Sequence, residues 1–242
     1  MGITILGQDV WNNPSQVADG LFYDTRFENN ITVTSAAQYL LSLFGGYAGP
    51  NANMSPDVPG TPVFRQFDPS TSRTFTVLQS PTVTIDNAPT GIALGQNLPT
   101  AGTGRLFVGW NDQPIIYGAL LALRLQGVDL VTVRTNPGII TTSGQVNSSG
   151  TSASQSHTTG NANNGLFSIM AVKGAPTITP DANQVVLSNQ LSNDGNCRIL
   201  FTYRTGADPL TCSFTWSGSQ YWALTTVVVA AGLGGNQIAV MG

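Results

Sequence analysis

The side chains able to do chemistry are few and scattered: one histidine, His157, two cysteines, Cys197 and Cys212, and three carboxylates in turn-like settings, Asp181, Asp194 and Asp208. His157 could act as a base or a metal ligand. It stands in a polar stretch without a second histidine or Cys-His spacing, so a solvent-exposed loop histidine is expected. Thr179-Pro180-Asp181-Ala182-Asn183 and Ser192-Asn193-Asp194-Gly195-Asn196 are oxygen-rich and could hold calcium. Neither has the ligand spacing of an EF-hand loop, and ordinary Asp/Asn turn chemistry accounts for both. Asp24 and Glu28 could work as a carboxylate pair, but Arg26 between them makes a local ion pair the simpler expectation. Gly102-Thr103-Gly104 and Gly232-Leu233-Gly234-Gly235 lack the Lys-Ser/Thr and the following helix of a phosphate loop, so they read as turns. No catalytic, cofactor-binding or metal-binding residue is assigned on these grounds, and no cofactor is expected.

Cys197 and Cys212 bracket two strand-like runs, Cys197 to Arg204 and Thr211 to Trp216, which Gly206-Ala207-Asp208-Pro209 would join as a hairpin. That hairpin sets Cys212 beside Tyr203. At roughly 3.3 Å per residue the sulfurs then lie more than about 10 Å apart, beyond disulfide reach, and both are expected as free, buried thiols. The same register would gather Cys197, Ile199, Phe201 and Tyr203 with Cys212, Phe214 and Trp216 on one apolar face. Trp11, Trp110, Trp216 and Trp222 could stack on sugars if exposed. Trp110 and Trp216 sit in strand-like runs, and core packing is the expectation for them.

The elements that would position these residues follow from composition. Only 9% of the 242 residues are charged, against 27 Gly and 14 Pro, and Thr, Ser and Asn fill the stretches between short apolar runs. The expected fold is mainly β, a β-sandwich of jelly-roll type with one short N-terminal helix and long loops. The helix is placed at Ser35 to Phe44, with Thr34 or Ser35 as cap and Gly45-Gly46 as stop. Gly118 to Gln126 stays open between helix and strand, and Ser143 to Gly165, almost without apolar residues, reads as an exposed loop. No internal repeat of solenoid or propeller period is visible. Pro50, Pro56, Pro59 and Pro62 rule out a central strand there, which divides the chain into an N-terminal arm or subdomain, residues 1–68, and a β-sandwich domain, residues 69–242.

A net charge of −3 without a basic stripe argues against nucleic acid and membrane as partners, and weak self-repulsion favours a homo-oligomer, with a trimer as one candidate. The N-terminus reads as having no signal peptide, so synthesis in the host cytoplasm is expected. Ser213-Phe214-Thr215-Trp216-Ser217-Gly218-Ser219-Gln220-Tyr221-Trp222-Ala223-Leu224, running into Thr225 to Ala230, resembles the closing strands of β-sandwich proteins among the structural proteins of tailed bacteriophages. The resemblance covers mainly residues 166 to 231. It implies a non-enzymatic virion structural protein located in the particle, of the capsid cement or decoration kind, with the major capsid protein or other virion proteins as partners. Val63, Phe64 and Phe67 of the N-terminal segment are the candidate interface. A tail, neck or fibre protein, with receptor contact through Ser143 to Gly165, is the alternative in the same setting. A carbohydrate-binding β-sandwich is the alternative outside it.

Overall fold

A computed structural model of the chain describes residues 2–12, 15–19, 22–34, 36–37, 39–48, 62–65, 76–79, 89–97, 102–110, 116–130, 138–147, 149–206 and 208–232. Among these, the regular structure is all strand. In chain order the strands are β1 (Thr4–Trp11), β2 (Ser15–Asp19), β3 (Phe22–Val33), β4 (Tyr39–Ala48), β5 (Pro62–Arg65), β6 (Thr76–Gln79), β7 (Pro89–Asn97), β8 (Gly102–Trp110) and β9 (Ile116–Gln126). They continue as β10 (Ile139–Asn147), β11 (Ser152–His157), β12 (Gly165–Lys173), β13 (Ile178–Pro180), β14 (Val185–Leu191), β15 (Cys197–Arg204), β16 (Leu210–Trp216) and β17 (Trp222–Val229).

The strands form four antiparallel sheets, ordered β1-β9-β4-β7-β6, β2-β3-β8-β5, β10-β17-β12-β15-β14 and β11-β16-β13. The two five-stranded sheets face each other across the largest core, where Leu41, Leu43, Leu121 and Leu123 meet Phe167, Ile169, Ile199 and Phe201. The intervening residues of the same strands are buried as well. Leu40, Phe44, Leu120 and Ala122 pack behind the first sheet with Ile31 and Val33 of β3. Met170, Leu200, Leu224 and Val228 pack behind the second sheet against Cys212, Phe214 and Trp216 of β16. The central strands of both sheets therefore bury both faces.

Burial on both faces erases the period-two signal and leaves continuous apolar runs. For this reason Gly118 to Gln126 is ambiguous in sequence, yet it is the central strand β9. The helix expected at Ser35 to Phe44 is overturned for the same reason: Tyr39–Ala48 is strand β4, and Gly45-Gly46 lies inside the strand instead of stopping a helix. Ala, Gln and Leu favour a helix locally, but Tyr39 to Tyr47 gain burial on two sides by lying between β7 and β9. The loop expected over Ser143 to Gly165 is also corrected, because it contains most of β10 and all of β11, whose hydroxyl and amide side chains suit sheet edges facing water.

The Cys197 to Trp216 hairpin does not form. β15 pairs with β12 and β14, whereas β16 pairs with β11 and β13 in another sheet. Cys212, Phe214 and Trp216 accordingly lie with Leu200 on one side of the β15 sheet, and Cys197, Ile199 and Phe201 lie on the other. Both cysteines are free and buried. Strands from both sides of position 68 pair in the same sheets: β1 and β4 share one with β6, β7 and β9, and β2, β3 and β5 share one with β8.

The chain repeats one topology. With β2 set aside, the strands of the first half count 1 to 8 from β1 and those of the second count 1 to 8 from β10; both halves then have the sheet orders 1-8-3-6-5 and 2-7-4.

Candidate functional site

Among the described residues, chemically competent side chains are brought together between the two sheets of the second half. Ser168 on β12 pairs with Thr202 on β15 and with Thr226 on β17, so three hydroxyls form a row on the face toward β16. From the opposite side, alternation along β11 points Ala153, Gln155 and His157 inward. The His157 Nε2 lies 2.9 Å from the Thr226 Oγ1. Gln184 donates from Nε2 to the Thr202 Oγ1 at 2.9 Å and accepts from the Ser213 backbone N–H at 2.8 Å. The Ser168 hydroxyl hydrogen-bonds the Cys212 thiol, and the Cys212 Sγ donates to the Gln155 carbonyl at 3.7 Å.

This row holds an imidazole, a thiol and three hydroxyls, the materials of nucleophilic catalysis. Each of His157, Ser168, Thr202, Cys212 and Thr226 is buried. Burial lowers the His157 pKa, so a neutral ring is favoured, and raises that of the Cys212 thiol, an effect partly offset by the Ser168 hydrogen bond. The arrangement satisfies polar groups that a closed sandwich would otherwise strand. The exposed loop histidine expected from the sequence is thus corrected: the β11 ladder pairs His157 with Leu210 and turns the ring inward.

Two expected results follow. Cys197 and Cys212 are fully buried and burial raises both thiol pKa values, so a thiol reagent should label neither in the native protein and both after denaturation. Labelling of the native protein would contradict the burial. For His157, the folded-state pKa lies below the unfolded value, so the folded state binds fewer protons and stability falls as pH drops through the unfolded pKa near 6.5. The melting temperature should decline from about pH 7.5 to about pH 5.5, and a His157→Gln variant should flatten that decline. An unchanged slope in the variant would remove His157 as the cause.

The turn carboxylates brace their own turns, and Asp181 also lies 3.8 Å from the Arg204 guanidinium. Asp181 Oδ1 accepts from the Asn183 N–H at 2.7 Å, and Asp194 Oδ1 accepts from the Ser192 hydroxyl at 2.6 Å and the Asn196 N–H at 3.1 Å. Tyr47 also donates to the Asp194 carboxylate, tying β4 to this turn. Asp208 reaches further and accepts from the N–H groups of Thr159 at 2.8 Å and Gly160 at 2.7 Å, which hold its carboxyl below the ordinary range. Among the described residues no group of three or more His, Cys, Asp or Glu is placed to hold a metal.

Trp216 and Trp222 are buried with their ring centroids 6.1 Å apart, and the Trp216 Nε1 donates to the Gly150 carbonyl at 2.9 Å. Trp11 is partly buried against the outer core of the first half. For Asp24, Arg26, Glu28, Val63, Phe64 and Trp110 the structure describes the backbone alone, and Phe67 lies outside the described residues. The candidate interface named from the sequence is thus placed only as far as β5, which pairs with β8.

A different surface stands out. Val185, Val186 and Leu191 on β14 are 59%, 46% and 37% exposed, and Leu6 on β1 is 39% exposed. β14 is an edge strand with the sequence Val-Val-Leu-Ser-Asn-Gln-Leu, without a charge or a proline to discourage pairing. A hydrogen bond from Gln8 Nε2 to the Leu187 carbonyl brings β1 beside it. The signal in sequence was the uncharged run Val185-Val186-Leu187 flanked by Asn183-Gln184 and Ser188-Asn189-Gln190.

No protein-family profile matches the chain, and no curated protein or solved structure matches it either.

Proposed function

We propose that the chain is a non-enzymatic structural protein of a virus particle, a cement or decoration subunit of a phage head that assembles as a homo-oligomer on the major capsid protein or other virion proteins. The supporting observation is the pair of like sandwiches in one chain, stacked through an apolar core. The sheet orders 1-8-3-6-5 and 2-7-4 correspond to a jelly roll whose fifth strand is carried on the first sheet, and we assign that fold to each half. A trimer of such a chain would present six like units, a number suited to a hexagonal lattice position. The enclosure of the His157 and Cys212 row favours a structural over an enzymatic reading.

The mechanism is mechanical. Each copy bridges neighbouring subunits and removes apolar surface from water, and a standard contact of about 1,600 Å² repeated around a shell needs little affinity per copy because linked contacts add avidity. The low formal charge lets identical surfaces approach, and neither nucleic acid nor membrane is a partner in this reading. The test is quantitative mass spectrometry of purified particles. A copy number comparable to that of the shell protein supports the proposal. A number smaller by an order of magnitude moves the chain to the tail, neck or fibre, and absence from the particle leaves the carbohydrate-binding reading in its place.

A further inference from the structure

We propose that the chain is a fused pair of copies of one β-unit, and that the contact between the copies is an ancestral self-pairing surface that has diverged into a knob and a hole. The strand registers carry the first part. In the first half, an extra residue interrupts the ladders at Leu6 on β1 and at Leu78 on β6, which are opposite edges of the same sheet. In the second half, the interruptions fall at Ile140 on β10 and Leu187 on β14, again on opposite edges. Setting Leu78 on Leu187 and following the ladders strand by strand brings Leu6 onto Ile140 without adjustment. Bulges are local insertions that reset a register, so their agreement at both ends of two five-stranded sheets reports common descent more strictly than strand order does.

The contact between the halves has the signature of twofold pairing, in which residue i meets j and j meets i. Gln8, two residues beyond the Leu6 bulge, donates to the carbonyl of Leu187, the bulge residue of the other half. Thr142, two residues beyond the Ile140 bulge, donates to the carbonyl of Leu78. These two hydrogen bonds exchange under the register match.

The side chains at the centre do not exchange. The match sets Gly45 on Ala171 and Gly91 on Ile199. Gly45 and Gly91 are cross-strand neighbours that leave a furrow, filled by Ile169 and Ile199 at Gly45 and by Thr225 at Gly91, whose carbonyl accepts from the Thr225 hydroxyl at 2.8 Å. A Cβ at Gly45 would stand 2.5 Å from the Ile199 Cγ2 and 2.9 Å from the Ile169 Cγ2. Ala171 has that Cβ, so two second halves pairing in this way would collide. Two first halves would place Gly91 where Ile199 stands, and Leu43 and Leu121 where Ile169 and Thr225 stand, so the furrow would lose the isoleucine that fills it at Gly45. The furrowed face of the first half therefore fits the second half and neither copy fits itself.

The test places a protease site between Leu130 and Gly138 of the full chain, nicks the folded protein, then unfolds and refolds the pair for native mass spectrometry. Refolding to one-to-one heterodimers alone is expected; separated halves, or homodimers beside heterodimers, would overturn the proposal. In the intact chain, Gly45→Ala should lower the denaturation midpoint, and in the nicked pair it should weaken association by about tenfold or more. Ile199→Ala, which removes the nearer of the two colliding methyls, should recover part of that loss in the double variant. Simple addition of the two losses would reject the knob and hole, and this reading survives even if the nicked halves fail to refold.

Discussion

Gly118→Val is expected to abolish the folded state. By strand propensity alone the change should help, because valine is favoured and glycine disfavoured in β-structure, so the sign separates packing from propensity. Gly118 pairs with Gly46 between two central strands, and Phe44 lies over both. A Cβ at Gly118 would stand 2.3 Å from the Gly45 carbonyl oxygen and 2.7 Å from the Phe44 ring. One at Gly46 would stand 2.1 Å from the Tyr117 carbonyl oxygen. A side chain can rotate away, but these carbonyls belong to the β4 and β9 ladder, and relief requires opening the centre of a sheet. Overpacking that side chains can absorb costs about 1–3 kcal/mol, and a backbone collision exceeds that range. Against a total stability of about 5–15 kcal/mol, little folded protein would remain. Circular dichroism through a denaturant titration reads the result, with Gly2→Val, which meets nothing within 4 Å, as control. A midpoint equal to that of the control would show that the strands separate at no cost.

Deletion of residues 1–68 is expected to destroy the first half outright. An arm could be removed without harm, but these residues include β1, β3 and β4, and β4 is the strand between β7 and β9. Without it, Leu121 and Ala93 lose the strand that pairs with each of them. The second sheet would also be uncovered, because Leu41 and Leu43 pack with Ile169 and Ile199. The truncated chain should be insoluble or lack a cooperative thermal transition. A soluble product melting cooperatively at the temperature of the full chain would restore the arm as an independent body.

The repeat left a trace in the sequence that becomes readable once the registers are known. Leu40-Leu41-Ser42-Leu43-Phe44 corresponds to Leu166-Phe167-Ser168-Ile169-Met170, and both serines are buried. Trp110 followed by Tyr117-Gly118-Ala119-Leu120 corresponds to Trp216 followed by Tyr221-Trp222-Ala223-Leu224. In each half this Trp pairs with the first residue of the short strand beside it, Pro62 or Ile178. Such a pair shows no solenoid or propeller period, because one duplication of a whole sandwich has no short period.

Composition and turn chemistry by themselves determined that the chain is a β-protein with a hydroxyl and amide surface and that Asp181 and Asp194 close turns. These are local properties, set by residue type and nearest neighbours. Only the tertiary structure decided that Tyr39 to Phe44 is strand, that β15 and β16 part into different sheets, and that His157 turns inward. Each depends on what lies across the sheet. A strand buried on both faces has no polar side to mark its period, and a turn sequence does not say whether the next strand pairs beside the last or crosses to the facing layer.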